Sequence, residues 1–80
     1  MDRATQGHTQ SITDLARAIR ARRRALSLTQ ENVADLAGVS TRFVHDLERG
    51  KATVQLGKYL AVLDALGLRL QMTVGDQGTA

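Results

Sequence analysis

The sequence predicts a mainly α domain of four to five short helices, two of them hinged as a helix-turn-helix, with a C-terminal β-strand that pairs across a dimer. Three observations carry this. Apolar residues recur at helical spacing through most of the chain. A Gly-Val-Ser at 38–40 breaks one of these runs, and a new one starts at once. Beyond Gly67 the period switches from helical to alternating.

The composition sets the limits. Eighty residues make one domain at most. So short a chain buries only about 60% of the surface its unfolded form exposes, so a second subunit is a natural source of further burial. There are no cysteines, hence no disulfide and no thiolate metal site. The net charge is +3, with arginine far ahead of lysine. That balance favours a polyanionic partner without identifying one. No apolar run approaches the roughly 20 residues of a membrane span, and MDRATQGHTQ has no signal-peptide core. The expected location is cytoplasmic, associated with the nucleoid.

Residues 1–10 are polar and aperiodic and read as a flexible tail; 11–67 form the helix-turn-helix domain, 68–75 the dimerisation strand and 76–80 a second flexible tail. The first helix is expected from about Ile12 to Ala25, with Ile12, Leu15, Ala16, Ile19 and Leu26 on one stripe. Arg23 falls in the middle of that stripe, where an arginine needs a partner. Arg17, Arg20, Arg22 and Arg24 lie off it, and for Arg17 and Arg20 a solvated face is the better reading. The second helix follows Thr29, a good N-cap, and reaches Ala37. Glu31 suits its first turn, Val33, Ala34 and Ala37 face inward, and Gly38 ends it. Ser40 caps a third helix, Thr41 to Arg49, ended by Gly50. The fourth runs from about Gln55 to Leu66, with Leu56, Tyr59, Leu60, Leu63 and Leu66 as its buried stripe. Leu68, Leu70, Met72 and Val74 then alternate with Arg69, Gln71 and Thr73, the pattern of a strand.

The break at Gly38 has a physical meaning. Two short helices joined by a tight glycine turn let the second stand off the core and enter a DNA major groove. On the third helix, Thr41, Arg42, His45, Asp46 and Arg49 fall within one arc of roughly 140°, with Phe43, Val44 and Leu47 on the other side. Arg42 can grip guanine O6 and N7, and Thr41 and His45 can bond base edges. Asp46 can accept from cytosine N4 or orient Arg42. Any amphipathic surface helix also shows polar groups outward; the Gly-Val-Ser turn tips the balance. Phosphate contacts are expected at Gln30, Arg49 and Lys51, with Arg22 and Arg24 as weaker candidates. Thr29 is either a phosphate contact or a simple cap. Glu48 lies at the edge of the dry face and is the expected structural partner of Arg23.

A lone strand leaves its backbone groups unpaired. The economical partner is the same strand of a second copy across a two-fold axis, with Leu68, Leu70, Met72 and Val74 closing over the joint core. An apolar tail, or a strand packed on its own domain, are the alternatives. Two reading helices about 34 Å apart then match a palindromic operator.

The stretch LTQENVADLAGVSTRFVHDLERGKATVQLGKYLAVLDALGL resembles the Xre/Cro-type regulators, with their lambda-repressor-like helix-turn-helix fold, and within them the HipB-type antitoxins. Thr29-Gln30, Val33-Ala34, Gly38-Val39-Ser40, Val44 and Leu47-Glu48-Arg49-Gly50-Lys51 carry the wider resemblance, and Leu63-Asp64-Ala65-Leu66-Gly67-Leu68 with the strand the narrower one. The resemblance implies an autoregulating repressor, dimeric through its C-terminal strand and partnered by a HipA-type serine/threonine kinase toxin. It implies base reading by Ser40, Thr41, Arg42 and His45, with Asp46 beside them, a phosphate contact at Gln30 and an Arg23–Glu48 salt bridge. Two departures stand out. Asn32 replaces the glutamate that completes a capping box, which predicts a weaker cap. The short C-terminal tail argues against any mechanism in which a long tail enters the toxin.

Two other readings remain: a stand-alone Xre-family regulator, and a protein-interaction module that no longer reads DNA. An enzyme is not expected. The chain lacks cysteine, paired carboxylates and a glycine-rich phosphate loop, and its histidines lie far apart. No cofactor and no metal ligand set are expected.

Overall fold

The computed structural model describes residues 2–75, with side chains from Ser11 onward. Four helices follow one another: α1 Asp2–Ala25, α2 Gln30–Ala37, α3 Thr41–Glu48 and α4 Leu56–Ala65. Helix α1 starts at Asp2, not near Ile12. No proline interrupts residues 2–11, and nothing there stops a helix once the amphipathic part has formed.

All four helices end in the same way. An N–H two or three residues beyond the helix reaches back to a carbonyl in its last turn: Leu28 to Arg23 at 3.1 Å, Val39 to Ala34 at 3.0 Å, Lys51 to Asp46 at 3.0 Å and Leu68 to Leu63 at 2.8 Å. This closure needs a left-handed residue just before the donor. Gly38 takes it with φ of 73°, and two further glycines serve α3 and α4. At the end of α1 the position is held by Ser27, with φ of 58°. The first corner thus carries the steric strain that glycine removes from the others.

The core gathers Ile19 from α1, Val33 and Ala34 from α2, Val44 and Leu47 from α3, and Tyr59, Val62, Leu63 and Leu66 from α4. Val39 packs against it from the turn, beside Leu28 and Phe43. The inward face of α4 is rotated from the expected stripe. Leu56 and Leu60 are exposed, whereas Val62 is fully buried. Leu15 and Leu26 are also more exposed than their stripe suggested. The core is narrow, and only one edge of each apolar stripe fits into it. The Tyr59 hydroxyl is buried without a hydrogen-bond partner among the described residues.

The expected strand is corrected: no strand occurs among the described residues, and the chain from Leu68 to Gly75 is irregular. Leu68 packs on the core, while Leu70, Met72 and Val74 are exposed. The physical reason is the one that suggested a dimer, since a lone segment has nothing to pair with. Residues 76–80 and Met1 lie outside the described residues.

Two substitutions test the corners. A Cβ at Gly38 would meet nothing within 4 Å, so Gly38→Ala adds only backbone strain. It is expected to cost about 1 kcal/mol. Ser27→Gly relieves the same strain and is expected to stabilise by about 0.5 kcal/mol, part of the gain being lost to unfolded-chain entropy. Urea unfolding reads both as opposite shifts of the midpoint at constant slope.

Candidate nucleic-acid interface

The site starts at the turn. Gly38 ends α2 and Ser40 opens α3, its hydroxyl oxygen accepting from the Phe43 N–H at 3.0 Å. Val44 and Leu47 are buried. Thr41, Arg42 and Arg49 are exposed, and His45 and Asp46 are half-buried. The helix therefore docks by one side and leaves a polar side outward. Ser40 stands at its entrance with its oxygen already engaged as the cap.

Asp46 organises this outer face. Its carboxylate accepts from Arg42 Nε at 3.2 Å and lies 3.6 Å from Lys51 Nζ. The Arg42 side chain is 82% exposed, so this pair holds a geometry more than it adds stability. Lys51 sits immediately beyond α3, its N–H donating to the Asp46 carbonyl.

The start of α2 is better capped than expected. Thr29 Oγ1 accepts from the Asn32 N–H, and Asn32 Oδ1 accepts from the Thr29 N–H, both at 2.9 Å. Asparagine thus completes the capping box that a glutamate was thought to need: its shorter side chain still reaches across one turn. Thr29 is a cap in this geometry.

Behind α3 lies the ion pair. Arg23 Nε donates to Glu48 Oε2 at 2.6 Å and Nη2 to Oε1 at 2.9 Å, the parallel two-bond arrangement that a guanidinium makes with a carboxylate. Arg23 Nη1 also donates to the Leu28 carbonyl at 2.9 Å. The Gln30 amide donates to Glu48 Oε1 at 3.1 Å. The two ionic side chains are 12% and 4% exposed, so the pair is nearly dry. Burial alone would raise the Glu48 pKa. Hydrogen bonds from Arg23 and Gln30, with the charges of Arg23 and Arg20, outweigh it and hold the carboxyl below its usual range. Arg23 is raised, chiefly by its hydrogen bond to Glu48.

The remaining arginines divide. Arg22 is exposed, and its Nε donates to the Leu66 carbonyl at 2.8 Å at the end of α4. Arg24 is exposed on a shallow basic groove with Arg17 and Arg20. Arg20 also lines a recess with Gln30, His45 and Arg49. Sequence reasoning set Arg20 aside as solvated. The available signal was its place one helical turn before Arg23, on the edge of α1 that faces α3. The exposed Leu70, Met72 and Val74 line none of the cavities around α3.

Residues 14–73 match the family model described as a helix-turn-helix domain. The chain is also 42% identical over 59 residues to a protein of Sinorhizobium fredii named as an uncharacterized HTH-type transcriptional regulator, y4mF. The alignment covers 74% of this chain and 78% of that one.

The ion pair makes a prediction with a defined pH sign. The Glu48 pKa is lower in the fold than in the unfolded chain. Its contribution is therefore complete above the unfolded value of about 4.3 and is lost as pH falls through the folded value. Glu48→Gln should destabilise by about 3 kcal/mol at pH 7, because it leaves a nearly buried arginine unpaired. Urea unfolding across pH should show the gap to wild type constant down to about pH 4.3 and closing below it.

Proposed function

The chain belongs to the helix-turn-helix domain family, and we propose that it is a DNA-binding transcriptional regulator that reads a duplex with the outer face of α3. One observation supports this most. Beyond the Gly38 turn, α3 docks through Val44 and Leu47 and leaves Thr41, Arg42 and Arg49 exposed. A helix displayed in this way fits a major groove. In this reading Arg42, Thr41 and His45 meet base edges, with Ser40 at the helix entrance. Asp46 aims Arg42. Arg49, Lys51 and the Gln30 end of α2 meet phosphates.

The proposal extends to a homodimer on a palindromic operator. Leu70, Met72 and Val74 support it: they are 51%, 93% and 99% exposed, and a second copy would cover them. It extends also to the antitoxin role that the resemblance implies, with a HipA-type kinase as protein partner and autoregulation of the shared operon. Such a regulator works where the nucleoid is, in the cytoplasm. Purification from the host tests the partner: the kinase should accompany the chain, and a chain that always emerges alone leaves the stand-alone regulator.

Base reading is tested on a duplex selected from a random pool. Arg42→Ala and His45→Ala should each lose about 1–3 kcal/mol of discrimination against a scrambled duplex while retaining the fold. Lys51→Ala should weaken selected and scrambled duplexes alike. Unchanged discrimination in both of the first two variants would favour an interaction module that does not read DNA.

A further inference from the structure

Between α1, α2 and α3 lies an open recess of about 150 Å³, lined by Arg20, Arg23, Gln30, His45, Glu48 and Arg49. Its electrostatics follow from the ion pair. Both Glu48 oxygens are occupied: Oε2 takes one Arg23 bond, and Oε1 takes the other together with the Gln30 amide. Arg23 cancels that carboxylate's charge. Arg20 and Arg49 remain, both exposed and neither in a salt bridge among the described residues. Arg20 is near enough to Glu48 for its charge to lower the carboxyl pKa. The recess thus has an excess of two cations and no free acid.

The ligand such a recess suits is an oxyanion with several acceptors. A guanidinium presents parallel N–H donors that fit phosphate oxygens better than they fit a halide or a neutral group. Its position narrows the choice. His45 and Arg49 belong both to the recess and to the outer arc of α3. A duplex whose groove receives α3 carries its phosphate backbone past the edge of that helix. We propose that Arg20 is a backbone phosphate ligand, and that the recess seats one phosphodiester between α1 and α3. This rests on the reading of the chain as a DNA-binding protein. It adds a contact from Arg20, which the sequence had left on a solvated face of α1. Because Arg23 clamps α1 to α3, the phosphate ligand and the reading helix keep a fixed separation. The recess then sets how deeply α3 sits in the groove.

The test is a salt titration of binding to a mixed-sequence duplex longer than one helical turn. Arg20→Ala should reduce the slope of log affinity against log salt by about 0.9, the loss of one phosphate contact. Selected and mixed-sequence duplexes should weaken by the same factor. Arg20→Lys should retain most of the slope, since the charge remains. Lys58→Ala removes an equal charge from an exposed position on α4 that lines no part of the recess, and should leave the slope unchanged. The proposal is overturned if Arg20→Ala and Lys58→Ala change the slope equally, or if neither does while wild type keeps a steep one. A wild-type chain that binds no duplex removes the DNA reading itself, and this inference with it. Both alanine positions are exposed on helices, and circular dichroism verifies that the variants stay folded.

Discussion

The bond between Arg23 and Glu48 is the constraint on which the rest of this structure leans. A domain this small has little apolar material to fix the angle between its helices. The core supplies contacts between α2 and α3 and between α2 and α4, but α1 reaches it mainly through Ala16 and Ile19. A non-directional contact of that size leaves a helix free to slide or roll. The ion pair is directional. Two parallel hydrogen bonds hold α1 to the end of α3, a third ties the same guanidinium to the corner after α1, and Gln30 joins from α2. Three helices are thereby fixed at one carboxylate. Its worth lies in geometry as much as in net energy, because a nearly dry ion pair recovers only part of its desolvation.

That fixing is what gives the outer face of α3 a defined position. Val44 and Leu47 set which side of the helix is hidden, and Gly38 sets where the chain turns into it. Neither ties α3 to α1. Glu48, its last residue, does so through Arg23. The same carboxylate brings Gln30, at the first residue of α2, against the C-terminal end of α3. On the proposed function such a lock matters, since a reading face that wandered by a residue would present different side chains.

Much of this was legible in the sequence, and the failures have physical causes. Gly38 and Ser40 placed the hinge, because few residues other than glycine sit easily at positive φ and serine caps well. Arg23 in an apolar stripe pointed to its own partner, since an unpaired arginine there is too costly. Ser27 gave no such warning: a serine in the left-handed region looks like any other serine in a sequence. On α4 the expected stripe of Leu56, Tyr59, Leu60, Leu63 and Leu66 overlaps a second one through Tyr59, Val62, Leu63 and Leu66. Hydrophobicity favours the first and the packing chose the second, which only the neighbouring helices could decide. The Arg22 hydrogen bond was hidden for a related reason. Its carbonyl partner at Leu66 is distant in sequence and becomes an acceptor only once α4 ends there. The strand was inferred from alternation, but alternation describes what a segment can pair with, and a single chain does not contain the mate.

On the proposed function, the Asp46 carboxylate would keep a basic surface selective. Three cations lie on or beside the outer face of α3, at Arg42, Arg49 and Lys51, and every duplex attracts all of them equally. Asp46 accepts from Arg42 and stands near Lys51, so part of that indiscriminate attraction is cancelled where base edges would be met. On the proposed function, the acid also restrains the Arg42 guanidinium before any duplex arrives, and less side-chain freedom is then lost on binding. Its i,i+4 bond to Arg42 is weak enough to be exchanged for a guanine edge. On that reading, an acid at this position would lower affinity for DNA in general while sparing the contact that distinguishes one sequence from another. Arg20, at the far side of the recess, forms no salt bridge among the described residues, and the acid it faces, Glu48, is already paired with Arg23. The uncancelled charge therefore lies where a backbone would pass, and the balanced charge where bases would be read.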